Sequence, residues 1–243
     1  MQIIWHGQSF FQIIASRGKN SQINIVIDPF SQEIGLKLPK LEADILLITH
    51  CHPDHDNLKA VSGSPSTNSG QAPFLISGPG EYEIKEVFIQ GIPAFHDNSQ
   101  GRERGPVTIY ALELEGLHLC HLGDFGQKEL SSEQLEKIGQ VDILMIPVGG
   151  VYTIDGKEAI KIMSQLEPKI IIPMHYSLPK LKTELPKEAK VKKRTEFSSP
   201  VKLDGLDKFL KAVGLKTIEP IPKLTIKKKD LSEEEAKIIV LKP

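Results

Sequence analysis

The nine residues "THCHPDHDN", positions 49–57, hold three histidines and two aspartates. Their order is His50, His52, then Asp54 and His55. Imidazole nitrogen suits zinc, iron or manganese, and an added carboxylate leans towards an oxygen-rich hydrolytic site. Alternate residues of an extended segment project to one side, so His50 and His52 can bind a single ion together. Pro53 forces a bend, after which Asp54 and His55 can point elsewhere, towards a second ion.

Two ions need further ligands from distant segments, and the same logic finds them at the ends of apolar runs. His96 closes "GIPAFH", Asp124 closes "HLCHLGD" and His175 closes "IIIPMH". Asp28 ends "INIVID" in the same manner. Strand termini opening into one crevice are where α/β sheets usually build sites.

The elements that must position these side chains are legible in outline. "SFFQII", "INIVID", "DILLITH", "APFLIS", "VFIQGI" and "VTIYALEL" read as strands, with glycine and proline punctuation between them. The second half alternates strand and helix. "SSEQLEKIG" reads as a short helix with a Ser131/Gln134 capping box and Gly139 as its stop. "DGKEAIKIMSQLEP" places Ala159, Ile162, Met163 and Leu166 on one helical face, with Asp155 as N-cap. "LDGLDKFLKAVG" is a third helix, and "KLTIKKKDLSEEEAKIIVLKP" reads as two strands around a polar turn. The expected architecture is α/β (α+β), with helices packed outside two stacked sheets.

The 243 residues are 40% hydrophobic, enough for one large core, and no linker divides residues 1–243. A net charge of -1 gives no general attraction to nucleic acid or anionic membrane. No apolar run approaches the roughly 20 residues of a membrane helix, and "MQIIWHGQSFFQII" lacks the basic start of a secretory signal. Two cysteines, Cys51 and Cys120, do not make a disulfide framework. A cytoplasmic, soluble protein is expected, with a small-molecule substrate, no membrane or nucleic-acid partner, and homo-oligomerisation left open.

The pentad and the three later ligands resemble the metallo-β-lactamase superfamily, whose hallmark is T-H-x-H-x-D-H followed by a histidine, an aspartate and a final histidine. "SGPGEYEIK", "HLGD", "PVGG" and "PMHY" are similar to the branch that includes the ascorbate phosphate lactonases and many uncharacterised hydrolases. The resemblance implies a four-layer αββα sandwich and two divalent ions, zinc first, with manganese or iron as alternatives. His50, His52 and His96 would hold one ion, and Asp54, His55 and His175 the other. Asp124 would bridge them, and Asp28 would orient the loop carrying the pentad. A shared hydroxide would attack an ester, lactone or phosphodiester of an anionic substrate, with Asp54 or Asp124 orienting it. The competing readings are a nucleic-acid phosphodiesterase or nuclease, and a non-catalytic metal-binding regulatory protein. The chain departs from related sequences at Gly7-Gln8, where they often carry Gly-His.

Other features are weighed beside these. Cys51 is expected to face inward as a packing thiol. His118 and His121 read as structural, with His121 near the site, and His6 has no assigned role. "GPG" at 78–80 and "GG" at 149–150 are weak anion-cradle signals, and "KEAKVKKRTEF" is a solvated basic stretch. The loop "NSQGRERG" begins two residues after His96, so Arg102 and Arg104 are candidates for binding substrate oxygens.

Overall fold

The computed structural model describes residues 1–18, 21–64, 72–179, 181, 202–232 and 235–243. The basic stretch at 187–197 and most of the small-residue loop at 62–71 lie outside the described residues. β1 (Gln2–Gly7), β2 (Phe10–Arg17) and β3 (Ser21–Ile27) form an antiparallel meander. β4 (Leu41–Ala43) leaves this sheet to pair in parallel with β6 (Val61–Gly63) as a two-stranded ribbon. β5 (Ile45–Leu47) and β7 (Phe74–Ile76) extend the sheet in parallel beyond β3.

The second sheet opens with antiparallel β8 (Gly80–Ile84), β9 (Val87–Phe95), β10 (Pro106–Leu114) and β11 (Leu117–His121). It then turns parallel through β12 (Ile143–Pro147) and β13 (Ile170–Met174), both buried throughout, as strands covered on two faces are. α1 (Ser132–Ile138) and α2 (Gly156–Leu166) make the two crossovers. Right-handed crossovers between consecutive parallel strands put both helices on one face. The Ser131/Gln134 capping box forms as expected, and Asp155 makes a second box with Glu158. α3 (Leu206–Ala212) packs on α2.

The tail supplies two strands, but they do not pair with each other. β14 (Leu224–Thr225) joins β1, and β15 (Lys237–Ile238) joins β13. The sheets therefore run β14-β1-β2-β3-β5-β7 and β15-β13-β12-β11-β10-β9-β8.

Side-chain alternation separates two apolar layers. Trp5, Ile13, Ile25, Ile27, Ile45 and Leu47 face the main core, which they share with Ile89, Ile109 and Leu119 of the second sheet. Phe10, Val26, Leu46 and Ile48 face the opposite way and pack with Phe30, Ile34 and Val61. Each such buried side chain contributes about 1.5–3 kcal/mol relative to exposure. Among the described residues, 3₁₀ turns at Gln32–Ile34 and Leu58–Ala60 and the β4/β6 ribbon cover this outer face, in place of an α-helix. No helix of the described residues is long and apolar enough to cross a membrane.

Candidate metal centre

The predicted ligands sit just beyond strand ends and converge. His50, His52 and His96 form one group and Asp54, His55, Asp124 and His175 another, with one candidate ligand atom per residue lying within 4.8 Å of the others in its group. His50 Nε2 is 2.9 Å from His52 Nδ1. The reason for this pairing differs from the expected one. β5 ends at Leu47, and a tight turn from His52 N–H to the His50 carbonyl (3.2 Å) brings the two rings together. Cys51 is consequently exposed rather than packed inside, and both cysteines are free.

Asp124 links the groups. Its Oδ2 lies 3.3 Å from His55 Nε2, 3.4 Å from His96 Nε2 and 3.2 Å from His175 Nε2. Its other oxygen, Oδ1, accepts a hydrogen bond from Ser9 Oγ at 3.0 Å. The hydroxyl thus fixes which carboxylate oxygen is turned to the histidines. Local sequence carries no signal for this contact, because Ser9 is 115 residues away.

Asp28, fully buried, accepts from Thr49 N (2.8 Å) and Thr49 Oγ1 (2.7 Å) and faces His55 Nδ1 at 3.0 Å. With its proton given to Asp28, the Thr49 hydroxyl can accept from His50 Nδ1, 3.0 Å away. One carboxylate therefore orients two imidazoles so that each turns its other nitrogen to the cluster. Thr49 stands inside the motif, yet its type alone does not reveal this link. Two glycines let the frame close: a side chain at Gly123 would strike Thr49, and one at Gly149 would meet the His175 carbonyl at 2.0 Å. Gly149 thus serves packing and Gly150 a left-handed turn (φ 62°), while Gly78 N–H donates to the Tyr110 hydroxyl in the core.

The remaining histidines are settled by their partners. His121 Nδ1 accepts from Gly123 N–H (3.1 Å), so Nε2 carries the proton given to the Ser9 carbonyl (3.0 Å). It braces the site from behind. His118 faces Asp142 at 3.2 Å, away from the cluster. His6 packs on Phe10, and burial pushes its pKa down to about 4.

A cleft above the ligands is lined by Gln8, Ile34, His52, Asp54, Arg104 and Tyr152, with His96, Asp124, His175, Leu181 and Leu203. Of the two arginines singled out, Arg104 lines this cleft; Arg102 is exposed and does not. Asp97 shapes their loop by accepting the N–H groups of Ser99, Gly101, Glu103 and Arg104. The Arg104 guanidinium donates to Val151 O (3.2 Å) and lies 4.5 Å from the centre of the Tyr152 ring. Gln8, which stands where related sequences often carry a histidine, also lines the cleft, and Tyr152 carries no sequence signature of a site and is found only through the fold.

The residues fit divalent metal. Among the described residues His55 Nε2 is buried with no hydrogen-bond partner although Asp54 Oδ2 and Asp124 Oδ2 lie 3.6 and 3.3 Å away, an arrangement that a cation completes. Burial first, then His55, pushes the His50 pKa down to about 2, leaving its imidazole neutral as a ligand must be. Burial alone would raise the Asp124 carboxyl, but His175 and His55 beside it hold it well below the usual carboxylate range.

A crevice of strand-end histidines and aspartates between two stacked sheets, the second of them covered by helices, defines a metal-dependent hydrolase site. The β-lactamase superfamily domain matches residues 2–175, and the chain belongs to this family, the metal-dependent hydrolases of the metallo-β-lactamase superfamily. It is 32% identical over 193 residues to a metal-dependent hydrolase of Thermococcus onnurineus, covering 70% of this chain and 82% of the relative. A metal-dependent hydrolase of Thermoplasma volcanium is 33% identical over 198 residues, with 73% and 84% covered. The crystal structure of a protein from Thermotoga maritima, described as a candidate Zn-dependent hydrolase of the superfamily, superposes with a TM-score of 0.69 at 30% identity, covering 99% and 97% of the two chains.

Proposed function

We propose that the chain holds two divalent ions, zinc first, and hydrolyses an ester, lactone or phosphodiester bond of a small anionic substrate. The observation that carries this reading is the position of Asp124 Oδ2 against histidines of both groups. His50, His52 and His96 would hold one ion, Asp54, His55 and His175 the other, and Asp124 both. Bound there, the ions supply an activated water at neutral pH and positive charge for the oxyanion that develops.

The protein's own groups do the rest. Asp54 reaches the cleft with a side chain that is 15% exposed, so it can take a proton from the attacking water while staying anchored beside His55. Asp124 is held by Ser9 and orients rather than transfers. Arg104, its guanidinium fixed over Tyr152, gives the cleft wall a positive charge that favours a phosphate or carboxylate on the substrate. Ile34, Leu181 and Leu203 supply the apolar part of that wall. The core shared by both sheets supports one domain over residues 1–243, and a cytoplasmic location belongs to the same proposal.

Metal analysis after separate loading with zinc, manganese and iron, followed by a panel of phosphodiester, lactone and thioester substrates, tests the reading. Two equivalents of metal with turnover of one bond class supports it. A stoichiometry that never exceeds one removes the bridging role of Asp124.

A further inference from the structure

Gln8 sits at the turn between β1 and β2 and is only 5% exposed, yet it lines the cleft among the ligands. Its backbone is in the left-handed region (φ 49°) and is pinned there, because its carbonyl accepts from Trp5 Nε1 at 2.8 Å and from His175 N at 3.2 Å. Its side chain has no such support. Among the described residues Oε1 is buried without a hydrogen-bond partner, and Nε2 lies 3.4 Å from His175 Nε2. That nitrogen also faces Asp124 Oδ2 and is the one turned to the cluster. With its lone pair engaged by a bound ion it could not accept from Gln8, so neither end of the carboxamide would have a protein partner among the described residues.

Stranding a buried carboxamide costs free energy that an apolar side chain of the same shape would not. The backbone is rigid and the amide is unspent, which is the combination expected of a group completed by a ligand. We propose that Gln8 is a substrate-binding residue whose carboxamide N–H donates to an oxygen of the scissile group while Oε1 accepts from an adjacent hydroxyl or N–H. This inference rests on the metal-centre reading above. It narrows the substrate to one with a proton donor beside the bond that is cleaved. Hydrogen phosphate carries both functions, acceptor oxygens and an O–H, whereas sulfate at neutral pH carries only acceptors.

The test uses the full chain loaded with cobalt(II), whose visible spectrum reports the coordination sphere. Gln8→Met keeps the side-chain length without the carboxamide, and Gln8→Ala guards against a thioether contact with the metal. Phosphate and sulfate are titrated into wild type and both variants, with cobalt content and melting temperature measured in parallel. Both variants are expected to bind phosphate about tenfold more weakly, equivalent to about 1.4 kcal/mol, and to lose less affinity for sulfate. Cobalt content and the phosphate-free spectrum should match wild type, with the melting temperature no lower. Unchanged phosphate affinity overturns the assignment. A changed phosphate-free spectrum makes Gln8 a ligand instead, and lowered cobalt content or melting temperature in both variants makes it structural. Wild-type protein that binds cobalt but no phosphate also overturns it. Wild-type protein that takes up no cobalt overturns the metal-centre reading, and this inference falls with it.

Discussion

Ser9 and Asp124, on strand ends of opposite sheets, share a 3.0 Å hydrogen bond that leaves only Oδ2 of the carboxylate for the histidines. Ser9→Ala removes the hydroxyl that holds Asp124 Oδ1. Loss of a hydrogen bond to a ligand typically lowers metal affinity by about 10–100-fold. Chelator competition should show such a drop with circular dichroism unchanged. Equal affinity in the variant would mean that the surrounding histidines suffice to orient Asp124.

Asp124→Ala should abolish turnover and leave the fold intact, since a polar group lining a cleft contributes little packing. Activity and circular dichroism are read together. Retained activity with normal metal content would remove the bridge from the proposal.

Asp28→Asn is nearly isosteric but replaces an acceptor by a donor where Thr49 and His55 both present N–H or O–H. At least one buried group is then left facing a donor, at a cost of about 1–3 kcal/mol. Both a lower melting temperature and weaker metal retention during dialysis are expected. Either one without the other would separate the folding role of Asp28 from its orienting role.

The two arginines of the 98–105 loop should behave differently. Arg104 lines the cleft and Arg102 does not, so Arg104→Ala should raise KM for an anionic substrate with kcat largely kept, while Arg102→Ala changes neither. Equal effects of both substitutions would point to long-range charge rather than contact.

Asp142 lies at the opposite end of the strands from the cleft and joins the start of β11 to the start of β13 and to Lys228. Its carboxylate accepts from His118 N (2.8 Å) and Lys228 Nζ (2.8 Å), and its carbonyl accepts from Ile170 N (2.8 Å). Burial raises its pKa, but Lys228 and the His118 backbone N–H outweigh that and hold it below the usual carboxylate range. A depressed folded value contributes stability present above the unfolded pKa of about 3.9 and lost as pH falls through the folded one. Asp142→Ala should therefore cost about 1–3 kcal/mol near neutrality and flatten the acid limb of a stability profile. Because the Lys228 side chain is 48% exposed, Lys228→Ala should cost far less. An acid limb of unchanged steepness in the Asp142 variant would assign it to other carboxylates.

The clustered side chains are legible because a histidine or aspartate closing an apolar run is an unusual ending, and Asp28, His50, His96, Asp124 and His175 each close one. The capping box at Ser131 and the N-cap at Asp155 are legible for a similar reason, being local, while the reciprocal contact of Glu158 with Asp155 is added by the structure. What escaped was whatever depends on juxtaposition. Ser9 meets Asp124, and Arg104 meets Tyr152, only after the sheets have stacked. β1 does not stand out as a strand in the sequence, and strand alternation extended past Leu47 misplaces Cys51, because the backbone has already turned there. The form of the layer over Phe10 and Val26 also lay beyond reach, since short 3₁₀ turns have no periodicity to detect.

The tail strands β14 and β15, two residues each, cap one margin of either sheet. Removing the segment after Ile218 would uncover β1 and β13 together, and β13 reads "IIIPM" with every residue buried. Bare backbone donors and acceptors beside such a strand form a template for pairing between molecules. The tail is in this sense a guard against self-association: a truncated protein could retain its metal centre and still be lost to aggregation.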